Sequence, residues 1–455
     1  MTAQAAVATQ PATTAEQSGD YVLKGGWYTL WVMLAATLFG FVDRQVLTLA
    51  ATPLSLSLGL KDAELGMVQG LAFAIFTVLA VYPLAWAADR FDRRLVLGCC
   101  IATWSIGTTA CGFARNFEEL FGAAVLIAAG EAGLAPIMTS FVPELFKGRK
   151  RILANSLIYI FAYAGVSAGL ALGGSAIGFL DARHASLPAW LQHYESWRLA
   201  FFLVALPAPI LIVLLAFTAI GRKRSAVRSA AAQGSPNTFW QFLAAHKAAT
   251  MSLFAGLGLY MLAFGGYLVW LPVAATRLFG TTPAQNGVAM GMAVAVGTLG
   301  GVASATFVMR RMIDRLGSMA TVRFFRYAMT ATIPVLAIFP FVTAAWQAFT
   351  LLGAMMLCGT AIGCAVPTLL QDMAPGPLRA RMAAIWGIVS GLLGGSAPTL
   401  VGWVSTYLGT EPRMLTFAIT LVAVPCWIGA IVCFWISERP FVGLLQHVSQ
   451  EELAS

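Results

Sequence analysis

The chain has 455 residues, of which 59% are hydrophobic and only 10% charged, and its mean hydropathy is +0.79. Soluble domains carry about 25% charged residues, which excludes a soluble enzyme. The formal net charge of +9 could point to nucleic acid, but the placement of the basic residues argues for another origin.

Residues 1–26 are rich in Ala, Thr and Gln, with neither a basic start nor an apolar core. They read as a disordered cytoplasmic tail rather than a signal peptide. Apolar runs of bilayer-spanning length, about 20 residues or more, then follow at 28–58, 64–88, 94–114, 118–145, 151–180, 198–220, 248–275, 286–309, 320–342, 346–372, 381–408 and 413–437. The polar stretch 221–247 divides them six and six, and its end from Phe239 fits either a short amphipathic surface helix or the frayed start of the seventh span. Residues 438–455 read as a second tail. The expected fold is all-α integral membrane: twelve transmembrane helices in two pseudo-symmetric six-helix bundles, 27–220 and 248–437.

With the N-terminus inside, 21 of the 28 Lys and Arg fall on the cytoplasmic side, six outside, and Arg44 within the membrane. The positive-inside rule therefore places both termini in the cytoplasm of a multi-pass inner-membrane protein. The charge excess is an orientation signal, and no nucleic-acid partner is expected. All seven cysteines lie within spans, and no Cys/His spacing suits zinc, so no metal or other cofactor is expected.

Span one carries Asp43-Arg44 near its middle, and span four carries Glu131. A charge at that depth costs about 2.5–3.5 kcal/mol on translocon scales, so these side chains should face protein or a water-filled path. At 1.5 Å per residue, Asp43 lies about 22 Å along its helix and Glu131 about 20 Å down the opposite way, both near the midplane. Neighbours on a helix diverge by about 100°, so Arg44 needs a partner on another helix, and Glu131 is the intramembrane candidate. Two carboxylates then share one guanidinium. A carboxylate left unpaired in low dielectric favours its protonated form, which is what a proton-coupled carrier requires. The alternatives are a static Arg44–carboxylate bridge and recognition of a substrate carboxylate by Arg44.

The halves also repeat. Asp89-Arg90 between spans two and three recurs as Asp314-Arg315 between spans eight and nine, 225 positions later. Gly165 and Gly169 match Gly391 and Gly395 at 226, and Arg149 and Arg151 match Arg379 and Arg381 at 230. Parallel repeats of a six-span unit are a transporter signature.

Over about residues 25–440 the chain resembles the major facilitator superfamily. The loop Ala85-Trp-Ala-Ala-Asp89-Arg90-Phe-Asp-Arg93-Arg94 resembles that family's Gly-x-x-x-Asp-Arg/Lys-x-Gly-Arg-Arg/Lys motif, with Ala85 and Asp92 in place of the glycines. Phe-Val-Asp43-Arg44-Gln, Ala-Gly130-Glu131-Ala132-Gly and Trp270-Leu-Pro272 resemble the spinster-like branch, whose usual Arg seven residues before the Glu is here Ala124. The resemblance implies a secondary transporter that moves a small amphipathic or anionic organic solute, lipid-like ones included, by alternating access on a proton gradient. It implies proton coupling at Asp43, Glu131 and Arg44, and a cytoplasmic gate at Asp89, Arg90, Arg93 and Arg94 with a degraded copy at Asp314 and Arg315. Candidate substrate contacts are Arg44 and the aromatics Tyr163, Tyr260, Phe264, Tyr267 and Trp270, three of which share one face of span seven at i, i+4, i+7. The glycine ridges of spans five and eleven read as close packing. A runner-up is an organic anion:cation symporter-type carrier holding a substrate carboxylate on Arg44. A polytopic membrane sensor or enzyme is remote, since the spans hold no clustered nucleophile and the tails are short. The expected partners are the solute and the bilayer, and the expected state is a monomer.

Overall fold

The computed structural model describes residues 22–220, 236–375, 378–409 and 411–454. Residues 1–21 of the first tail and 221–235 of the interior polar stretch lie outside the described residues. Among those described, twelve helices are long and apolar enough to cross a membrane. They are α1 (Gly26–Leu49), α2 (Asp62–Ala88), α3 (Arg93–Phe113), α4 (Phe117–Leu145), α5 (Leu153–Ser186), α6 (Ser196–Ala216), α7 (Lys247–Phe279), α8 (Pro283–Leu316), α9 (Ala320–Phe341), α10 (Ala345–Asp372), α11 (Arg381–Leu408) and α12 (Pro412–Val448). A separate helix, Pro236–Ala245, precedes α7, so the aromatic stretch from Phe239 is an element of its own. The last helix runs unbroken to Ala454, through the stretch expected to be a tail.

Short polar caps set the helix ends. The Asp92 carboxylate accepts the Arg94 N–H at 2.8 Å to start α3, and the Asn116 side chain accepts the Glu119 N–H at 2.9 Å to start α4. Thr282 and Gln285 form a capping box at α8. Two interior irregularities matter below: α2 widens into a π turn at Met67–Leu71, and α4 breaks at Ala132–Gly133, directly after Glu131.

The halves echo each other in geometry. Gly59 and Gly280, 221 positions apart, end the first helical segment of each half in left-handed backbone, at φ 64° and 65°. Arg93 of α3 bonds Glu144 of α4 across 51 positions, and Thr321 of α9 bonds Asp372 of α10 across the same 51, now 228 positions later. The spacing grows across the second helix of each half and the loop after it.

Each half meets the other through α2 against α11 and α5 against α8. These contacts are tight at the end opposite the termini. A Cβ on Gly66 would come within 2.6 Å of Pro398 C=O, and one on Gly291 within 2.7 Å of Ser167 C=O. Four positions past the Val78–Gly391 contact, Tyr82 is 78% exposed, and on the same ridge of α5 Ile160 is 58% exposed. The buried core agrees. One apolar cluster joins residues such as Leu54, Val68, Ala124 and Leu170 to the whole C-terminal half. A second, including Leu30, Leu97, Phe141 and Leu211, stays within the N-terminal half at the end bearing the termini. The molecule is thus sealed at one end and parts toward the other, the end rich in basic residues.

Candidate functional site

The N-terminal half carries a polar cluster at mid-depth. Asp43 of α1 is 3% exposed; one carboxyl oxygen lies against the Thr108 hydroxyl of α3, and the other finds no partner among the described residues. Thr108 is also within 2.9 Å of the Trp104 carbonyl. Glu131 of α4 lies within electrostatic reach of both Asp43 and Arg44, and its Oε1 is buried without a partner. Glycines bring these helices together. A Cβ on Gly130 would sit 2.5 Å from the Trp104 backbone nitrogen, one on Gly133 2.6 Å from Cys100 Sγ, and one on Gly107 2.8 Å from Ala123 C=O. Close approach of α3 and α4 is what sets Thr108 and Glu131 beside Asp43. Ala124 of α4 lies fully buried in the apolar cluster and brings no charge to this site.

Arg44 turns elsewhere. Its guanidinium stacks over Phe73 of α2, 4.4 Å from the ring centroid, and forms no ion pair with Asp43 or Glu131. The stacked face leaves the N–H edge to fork a carboxylate.

At the basic end, Arg93 is 1% exposed and holds Glu144 through two hydrogen bonds of 3.0 and 2.9 Å. Arg94 donates to Ala216 C=O at 3.2 Å, and Arg90 stacks 4.4 Å over Trp86. The Asp89 side chain lies outside the described residues. Asp314 and Arg315 are exposed, and Asp314 lines a cavity of about 340 Å³ with Arg310, Thr306 and Cys364.

The aromatics divide. Tyr260, Tyr267 and Trp270 are 1%, 0% and 0% exposed, packed inside the C-terminal bundle. Tyr260 donates to Gly359 C=O at 2.8 Å and Trp270 to Pro398 C=O at 2.9 Å, while Tyr267 packs 4.7 Å from the Phe339 ring. Phe264 is half-buried beside Tyr260, and Tyr163 of α5 is exposed, its hydroxyl reaching toward Gly363 of α10.

The far end is sealed by an ion pair and hydrogen bonds between the halves. Arg277 of α7 donates to both carboxyl oxygens of Asp62 on α2 at 2.8 and 2.6 Å, and Ser405 of α11 donates to Asp62 at 2.6 Å. Thr406 accepts from the Ala63 N–H at 3.0 Å. Asp62 and Arg277 lie 215 positions apart, so no local pattern could have paired them.

Residues 33–398 match the family model described as the Major Facilitator Superfamily. The chain belongs to that superfamily. It is 22% identical over 440 residues to an MFS-type efflux pump of Mycolicibacterium smegmatis, covering 95% of this chain and 97% of that one. It is 29% identical over 175 residues to the D-galactonate transporter of Escherichia coli O6:H1, covering 38% and 37%. Among solved structures, a bacterial homolog of the human lysosomal transporter Spinster, inward-facing and unoccupied, superimposes with a TM-score of 0.72 at 21% identity, covering 93% of this chain and 98% of that chain. As a member of the superfamily the protein is a multi-pass membrane transporter of organic solutes and not an enzyme. Transporters of this superfamily in general draw on ion gradients and need no cofactor.

Proposed function

We propose that the protein is a proton-coupled carrier of a small organic solute bearing a carboxylate, working by alternating access as a monomer in the inner membrane, with the basic end and both termini in the cytoplasm. Asp43 and Glu131 take and release the proton, and Arg44 holds the substrate's carboxylate. Asp89, Arg90, Arg93 and Arg94, with Asp314 and Arg315, close the cytoplasmic side. Tyr163, which is exposed, and Phe264, which is half-buried, are the aromatics that meet the solute, while Tyr260, Tyr267 and Trp270 stiffen the wall behind them. The opening toward the basic end then represents the inward-open state.

One observation carries the coupling. The Thr108 oxygen lies against Asp43 and also within 2.9 Å of Trp104 C=O. A hydroxyl has one hydrogen, which cannot serve both acceptors. With Asp43 ionised the hydrogen goes to its carboxylate; with Asp43 protonated and donating to Thr108, the hydrogen passes to Trp104 C=O, so this hydroxyl serves either state of the acid. The Arg44 reading rests on the guanidinium stacked over Phe73 without an ion pair, and this favours the anion-binding role over a static bridge. Uptake of organic carboxylates by proteoliposomes under imposed pH gradients tests both. Glu131→Gln should leave exchange intact but remove its response to the gradient. Arg44→Gln should raise the half-saturating concentration about 10- to 150-fold, the equivalent of about 1.5–3 kcal/mol for a charge-assisted bond. Uptake that ignores the gradient in the unaltered protein would sink the coupling.

A further inference from the structure

Gln69 of α2 is 5% exposed, and neither its amide nitrogen nor its oxygen finds a partner among the described residues. Burying an unpaired amide is costly, and π turns such as Met67–Leu71, which contains it, gather at functional sites. The turn is also plugged from the other half. Thr399 of α11 donates its hydroxyl hydrogen to Gly66 C=O at 2.9 Å and accepts from the Leu71 N–H at 3.0 Å. Gly66 and Gly70 leave room for this: a Cβ on Gly70 would lie 2.6 Å from the Thr399 oxygen. Gln69 and Phe73 are four apart and share a helix face, and Phe73 is the ring that carries Arg44. Gln69 and the residue that carries the guanidinium's ring are thus about one helical turn, 5–6 Å, apart along α2.

We propose that Gln69, with Gly66 C=O and Leu71 N–H, is a second recognition point for the substrate, one that binds a hydroxyl group of a solute whose carboxylate lies on Arg44. This deepens the carboxylate reading above and rests on it. While the far end is sealed, Thr399 occupies the two backbone groups. When the halves part there, Thr399 leaves with α11, and the carbonyl, the N–H and the amide are uncovered together. A substrate hydroxyl donates to Gly66 C=O in its place and accepts from both Leu71 N–H and the Gln69 amide N–H. The class of solute is a hydroxylated organic acid; a lipid-like tail would leave the amide unpaired.

Cys364 is exposed and lines the basic-end cavity, so its reaction with a membrane-impermeant maleimide reports opening at that end. The full chain carrying Cys99→Ser, which removes another exposed thiol, is labelled in vesicles whose basic end faces the medium. The probes are D-galactonate and hexanoate, equal in carbon chain and differing in hydroxyls. A probe that binds the conformation open at the far end draws the population there and slows labelling. D-Galactonate should half-protect Cys364 at a concentration about tenfold below hexanoate, the worth of one net hydrogen bond. Gln69→Leu should erase that ratio by weakening D-galactonate alone, with thermal unfolding at or above the unaltered protein's because a buried unpaired amide is gone. Gln69→Asn, which keeps an amide, should retain part of the ratio. Equal protection by the two probes, or a ratio unmoved by Gln69→Leu, overturns the proposal. If both probes protect and Arg44→Gln abolishes protection by both, such a failure leaves the Arg44 reading standing. If neither probe protects, the carboxylate reading fails and takes this proposal with it.

Discussion

The two halves put different chemistry at the same point of the same scaffold. In the N-terminal half, Asp43 of α1 and Glu131 of α4 face each other electrostatically, with Thr108 of α3 bonded to Asp43. At the spacing of 221 set by Gly59 and Gly280, Asp43 corresponds to Phe264. At the spacing of 228 set by the paired bonds of α3–α4 and α9–α10, Glu131 corresponds to Gly359 and Thr108 to Leu336. Phe264 and Gly359 also meet, so closely that a Cβ on Gly359 would overlap the ring, and Leu336 is 1% exposed. A ring laid over a glycine fills this crossing, so packing alone does not need charge there. The proposed coupling therefore belongs to the N-terminal half alone.

The basic ends differ in the same direction. Arg93 is 1% exposed and forked onto Glu144, whereas its counterpart Thr321 makes one 3.4 Å hydrogen bond to Asp372. Glu144→Ala strands a buried guanidinium, which costs about 3–5 kcal/mol when a buried pair is broken; the half-exposed Glu144 puts the expected loss at the lower end. Asp372→Ala removes one neutral-donor bond, worth about 1 kcal/mol, together with a screened electrostatic contact to Arg379 worth less than about 1 kcal/mol. Thermal unfolding in detergent should show the first variant well below the second. Equal losses would mean that the two ends are held alike and that the asymmetry is confined to mid-depth.

Mid-depth offers a sharper contrast of smaller size. Gly359→Ala drives a methyl into Phe264 and should cost about 1–3 kcal/mol of stability by overpacking, while uptake keeps its response to a pH gradient. Glu131→Gln is close to isosteric and should do the reverse, with stability held and the gradient response gone. If Gly359→Ala altered the gradient response as strongly as Glu131→Gln, the halves would share the coupling and the comparison would break.

Much of this was legible in the sequence, for reasons of cost. Twelve apolar runs cannot hide in a chain with so few charges, and Asp43, Arg44 and Glu131 stand out because ions in a bilayer are expensive. Neutral polar residues carry no such flag. Thr108 and Gln69 read as ordinary span residues, although one is hydrogen-bonded to Asp43 and the other lies unpaired in the π turn. The Asp62–Arg277 pair lies beyond the reach of sequence pattern because it spans 215 positions and depends on how the two bundles dock. Arg44 was expected to seek a carboxylate, and the sequence could not show that Phe73 would offer it a ring. Helical spacing put Tyr260, Phe264 and Tyr267 on one face, yet it does not say what that face meets. Hydrogen bonds to carbonyls inside the bundle hold Tyr260 and Trp270 away from the opening.

The smallest effect separates the two copies of the loop motif. Arg90 stacks 4.4 Å over Trp86, and both side chains are exposed. Arg315, its counterpart, is exposed at the last turn of α8. An exposed cation–π contact is worth about 0.5–1 kcal/mol, so Arg90→Ala should lower the unfolding temperature slightly and Arg315→Ala should not move it. A gate at the basic end contributes nothing while that end stands open; its energy enters only when the halves close there. Removing either arginine should then favour the open state and speed maleimide labelling of Cys364, the Arg90 change by more. Labelling rates that stay fixed in both variants would reduce these arginines to orientation signals, and the asymmetry between the halves would end at the Arg93–Glu144 bond.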